Sequence, residues 1–152
     1  NFNERAVGPI TRFGHAKGMW QFIPQTASRY GLQVGPLRDM GVYDPQDERF
    51  DAVKSTMAAM KYIRELNNTE GQASGLLVMA SYNWGENNIR DIIARMPENP
   101  RDRNFWRLLS YKDIPRETYD YVFSIFSAAV ICEEPRLFGV TALCPSVTRQ
   151  GE

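Results

Sequence analysis

Ala73-Ser74-Gly75-Leu76-Leu77-Val78-Met79-Ala80-Ser81-Tyr82-Asn83-Trp84-Gly85 (ASGLLVMASYNWG) is the most apolar stretch of the chain. It predicts a helix over residues 73–83, ended by the Trp84-Gly85 pair. A helix that is apolar nearly all round has no side fit for water, so it belongs in the middle of a domain. Its far end, Tyr82-Asn83, then emerges from the core carrying polar groups.

Upstream, Val53, Met57, Met60 and Ile63 recur at helical spacing from Asp51 to about Leu66, with Lys54, Lys61 and Arg64 off that face. This predicts an amphipathic helix resting on those four residues. Pro24 stands where a first-turn proline would and Gly31 where a helix stops, giving a short helix over 24–30. Downstream, 88–96 and 104–109 read as short helices. Pro115 opens a long one through Cys132, with Val122, Ile125, Phe126 and Ala129 on one face. Strand-like alternation is absent apart from a short hairpin near 8–16. The fold class is mostly α, with Gly- and Pro-containing loops between helices.

The 152 residues suit a single domain, with no repeat or linker to divide it, and a domain of that size buries roughly 70% of its unfolded surface. Eighteen basic residues balance eighteen acidic ones, which argues against a nucleic-acid partner. Arg95, Arg101, Arg103 and Arg107 cluster, but Glu98 and Asp102 interrupt them, as on a solvated face. No window approaches the ~20 apolar residues of a membrane span. The chain starts at Asn1 without a methionine or leader and reads as a piece of a longer protein.

No metal site or cofactor is expected. Cys132 and Cys144 have no second ligand pair, and the single His15 cannot complete a zinc site with them; they are either a disulfide or two thiols. The acidic run Asp44 to Asp51 lacks the central glycine and final glutamate of a calcium loop and suits helix capping. His15 has no serine in a nucleophile context and reads as a loop or partly buried histidine.

Two polar intrusions remain: Gln21 within Gly18-Met19-Trp20-Gln21-Phe22-Ile23-Pro24, and Tyr82-Asn83. A buried amide costs a few kcal/mol unless paired, so each either holds a turn together or faces a ligand. With Trp20, Tyr30 and Trp84, whose flat faces suit sugar rings, they suggest a polar groove with aromatic walls.

The order of the pieces adds to this. His15-Ala16-Lys17-Gly18-Met19-Trp20-Gln21-Phe22-Ile23-Pro24 comes first, followed by Thr26-Ala27, Tyr30-Gly31-Leu32 and Asp47-Glu48-Arg49. Ser81-Tyr82-Asn83-Trp84-Gly85 and Pro115-Arg116-Glu117-Thr118-Tyr119-Asp120-Tyr121-Val122 complete the series. Together these resemble the family 1 lytic transglycosylases over residues 2–139. The resemblance implies a lysozyme-like α fold acting on peptidoglycan glycan strands in the cell envelope. There it would cleave the MurNAc–GlcNAc bond without water and leave a 1,6-anhydromuramoyl end. In that family one glutamate acts first as acid and then as base, unlike the two-carboxylate plan of most glycosidases. Such an acid needs a raised pKa, which an apolar wall supplies.

The resemblance implies that Gly18, Met19 and Gln21 contact substrate, with Gln21 on the groove floor and Tyr82 and Asn83 on the opposite wall. Tyr121 would hold the catalytic glutamate by its hydroxyl, or else be a core tyrosine. The glutamate itself, in a Glu-Ser pair, is expected immediately upstream of Asn1. Glu4 falls where the family has proline and reads as a surface residue. Ser81 replaces the family's usual alanine, while Trp84 and Glu86-Asn87-Asn88 replace smaller residues, which alters the sugar subsites. A silent glycan-binding module and a hydrolase on the same fold are the alternatives.

Overall fold

The computed structural model describes residues 3, 5–69, 74–99, 101–111 and 113–140. Among them are six α-helices and one two-stranded antiparallel sheet. The chain forms two compact units, Asn1–Glu65 and Leu66–Glu152. Cys144, and with it the disulfide reading, lies outside the described residues, as does Glu4. Cys132 is exposed.

The first unit opens with the hairpin β1 (Val7–Thr11) and β2 (Gly14–Lys17), paired Val7 to Lys17, Ile10 to His15 and Thr11 to Gly14. The Thr11 hydroxyl closes the turn, donating to Gly14 O at 2.8 Å and accepting from Phe13 N at 3.1 Å. Helix α1 (Pro24–Arg29) starts on its proline, as expected, and Gly31 ends it at φ 87°. The acidic run caps, also as expected. Asp47 accepts from Arg49 N at the head of a 3₁₀ turn, Glu48–Phe50, and Asp51 accepts from Lys54 N at the head of α2 (Ala52–Asn68).

The expected face of α2 is corrected. Val53, Met57 and Met60 are 74%, 54% and 60% exposed, while Ser55, Ala58, Ala59, Tyr62 and Leu66 are buried. The buried set has its own helical period. Within it, Tyr62 packs on Tyr30 with ring centroids 4.9 Å apart. Close packing of small residues outweighs the bulk of the methionines here.

The second unit is built around α3 (Gly75–Trp84), the apolar helix read from the sequence. Leu77 and Ala80 on α3 join Ile89 and Ile92 of α4 (Glu86–Ile93), Met96, Phe105 and Leu108 of α5 (Phe105–Leu108), and Val122 of α6 (Arg116–Glu133). Gly85, at φ 96°, ends α3 and begins α4, a backbone state that side-chain-bearing residues rarely take. On α6 only Val122 of the expected face is fully buried. Phe126 is 45% exposed and Ala129 is exposed too, so the apolar period outruns the surface available to cover it.

Candidate functional site

The turn after β2 carries three of the sequence-assigned residues. Lys17 N donates to Phe22 O at 3.1 Å, pinching Gly18 to Gln21 into a four-residue loop. Gly18 has φ 75° and lies so close to the Arg49 carbonyl that a Cβ would collide with it. Only glycine meets both demands. Gln21 is the one non-glycine with positive φ among the described residues, at 51°. Its backbone N–H and its Nε2 both donate to Gly18 O, at 3.1 and 2.7 Å, and its Oε1 lies over Gly8, where a side chain would displace it.

The expectation of a buried amide is corrected here, because Gln21 is exposed. Its carboxamide is pinned by backbone rather than enclosed by apolar side chains. A non-glycine residue held in the left-handed region costs of order 1 kcal/mol, and such outliers concentrate where a side chain must be aimed. Met19 and Trp20 are half-buried, and the Trp20 indole donates to Thr56 Oγ1 on α2 at 2.9 Å. Tyr30 does not offer a sugar-facing ring: it is buried, and its hydroxyl donates to Glu65 at 2.9 Å. His15 is partly buried, with Nδ1 2.9 Å from Gly8 O, matching the structural reading of that residue.

The other sequence-assigned residues lie in the second unit. Tyr82 and Asn83 occupy the last turn of α3 and are half-buried. Asn83 Oδ1 accepts from the hydroxyl of Thr118 at 2.7 Å, so the carboxamide is oriented with its NH₂ left to point elsewhere. Thr118 is buried and stands one turn before Tyr121 on α6, where i and i+3 side chains share a face. Sequence reading passed over Thr118, although it belongs to the same motif as Tyr121.

Tyr121 is half-buried and packs against the apolar cluster. Among the described residues its hydroxyl has no hydrogen-bond partner. Burial pushes its pKa above the ordinary tyrosine value.

A polar surface cavity of about 750 Å³ opens in the first unit between Gln33, Tyr43, Gln46, Glu48 and Lys54, and none of the sequence-assigned residues lines it. Among the described residues no three His, Cys, Asp or Glu side chains are grouped to hold a metal ion, and no helix is long and apolar enough to cross a membrane. Arg95 pairs with Asp113 at 3.0 Å, and Arg101 and Arg107 are exposed, as a solvated face requires.

A mostly α chain with a pinned glutamine turn and a Tyr-Asn pair at the end of its central helix belongs to a definable class. It matches the transglycosylase SLT domain family over residues 1–105, and the chain belongs to that family, whose fold is lysozyme-like. It is 32% identical over 138 residues to membrane-bound lytic murein transglycosylase D of Escherichia coli strain K12, and equally to the protein of that name in strain O6:H1. Each alignment takes in 90% of this chain and 28% of the relative, so the chain spans little more than a quarter of the length of these relatives.

Proposed function

We propose that this chain is the transglycosylase domain of a cell-envelope enzyme that cleaves the MurNAc–GlcNAc β-1,4 bond of peptidoglycan without water, leaving 1,6-anhydromuramoyl ends. The observation that carries the reading is the SLT family match over residues 1–105. The relatives named as membrane-bound murein transglycosylases support both the substrate and the envelope setting. Residues 1–152 act as one domain in this reading.

The roles follow from the chemistry. A glutamate preceding Asn1 protonates the leaving glycosidic oxygen, the substrate acetamido group assists, and the same carboxylate then takes the proton of the muramoyl 6-hydroxyl as that oxygen closes on the anomeric carbon. Gly18, Met19 and Gln21 contact the glycan, as do Tyr82 and Asn83. Tyr121 donates its hydroxyl hydrogen to the carboxylate. The packing of the Tyr121 ring against the apolar cluster one turn from Thr118, and the Thr118-oriented amide of Asn83, support these assignments.

The test is the chemistry of the product ends. Murein treated with the full-length protein and separated by mass should release 1,6-anhydromuropeptides. Reducing ends would make it a hydrolase, and glycan binding without release would make it a silent binding module.

A further inference from the structure

Arg49, Asp47, Lys17 and Asp44 are all buried in the first unit, two cations and two anions. The Arg49 fork grips Asp47 from Nε to Oδ1 at 2.9 Å and from Nη2 to Oδ2 at 2.6 Å. Its remaining terminal nitrogen, Nη1, donates to His15 O at 2.8 Å and to Phe22 O at 3.0 Å. Those two carbonyls flank the Gly18 to Gln21 loop, one on β2 and one where the chain leaves it. Lys17 Nζ donates to Leu37 O at 2.8 Å, and Asp44 accepts from Leu37 N and Gln46 N at 3.1 and 3.0 Å.

A buried ion pair is poor evidence for stability, since apolar residues of similar volume often serve as well. What apolar residues cannot do is hold two backbone carbonyls at a fixed separation. A lysine cannot do so either: its ammonium is a point donor, whereas the planar guanidinium binds a carboxylate bidentately and reaches sideways at once. Arg49 also presents its own carbonyl as the floor under Gly18. One residue therefore fixes both ends and the underside of the loop that forces Gln21 to positive φ.

We infer that Arg49, anchored by Asp47, is a positioning residue that acts on the glycan only through Gln21, by setting the turn that aims its carboxamide. This rests on the proposed transglycosylase reading, in which Gln21 contacts the sugar. Neither Arg49 nor Asp47 touches substrate in it.

The test is a double-mutant cycle in the full-length protein, with Arg49→Lys and Gln21→Ala alone and combined, read as kcat and KM for anhydromuropeptide release. Arg49→Lys should lower kcat/KM about tenfold or more, while changing it less than about twofold once Gln21 is already alanine. Losses that multiply in the double variant overturn the inference, because Arg49 then acts by some other route, and so does full activity in Arg49→Lys. If Arg49→Lys does not fold, Asp47→Asn takes its place in the cycle with the same expectation. Failure of both to fold overturns the inference by making the pair a scaffold for the whole unit. Wild-type protein that releases no muropeptide sinks the proposed function and this inference with it, whereas wild-type turnover with multiplying losses sinks the inference alone.

Discussion

Tyr121 carries its hydroxyl on a ring packed against the apolar cluster, so its two halves can be separated by mutation. Tyr121→Phe keeps the ring and removes one oxygen. If that oxygen donates to a carboxylate, its loss removes ~1.5–3 kcal/mol, or about tenfold to a hundredfold in rate, with little change in melting temperature. Full activity would leave the tyrosine a core residue. Thr118→Val tests the neighbouring contact, since it deprives Asn83 Oδ1 of its donor at nearly constant volume. It should cost about 1 kcal/mol of stability and raise KM several-fold, while Thr118→Ser keeps both near wild type. Thermal melts and steady-state kinetics distinguish these outcomes. At this scale the sequence singles out candidate residues without revealing their surroundings. Gln21 invited the reading of a buried amide because its neighbours Phe22 and Ile23 are apolar. It is exposed instead, on a left-handed backbone that no side-chain pattern announces.

Among the elements, α3 and the hairpin were legible because each depends on short-range signals: continuous apolarity ended by Trp84-Gly85, and a tight turn between short strands. The buried face of α2 was not, because two stripes share the same period and only tertiary packing chooses between Met57 and Ala58. The 3₁₀ turn ahead of α2 makes a further prediction. Glu48 accepts from Gln33 N at 2.7 Å and pairs with Lys54 at 2.5 Å, and these contacts, the backbone one foremost, hold its pKa below the ordinary 4.5. A depressed folded-state pKa means that the contribution is complete above about pH 4.5 and is lost as pH falls through the lower folded value. The melting temperature of Glu48→Gln should therefore lie below wild type at neutral pH, with the gap closing under acid. A gap that stays constant down to about pH 2 would remove Glu48 from the pH dependence.

For the molecule as a whole, the mostly α class and the family were legible because several ordered motifs recur across residues 2–139, each weak alone. The boundary between the two compact units falls inside α2, where the sequence has no linker composition. Residues 1–152 supply the proposed glycan contacts and the proposed tyrosine, with the acid assigned to the segment before Asn1. Isolated residues 1–152 should accordingly release no muropeptides, and the same chain extended upstream through the Glu-Ser pair should release them. Equal rates from the two would move the acid into this chain.

The meeting of Gly18 with the Arg49 carbonyl also bears on how the protein can be engineered. Backbone contact there closes the intervening chain as a clasp closes a necklace, and Met40 and Gly41 are exposed within that closed length. An insertion between them lengthens a loop whose ends are already fastened, at only about 0.6 kcal/mol for each doubling of its length. A tag or reporter grafted at that point would travel with the domain while the clasp keeps the glutamine aimed as before.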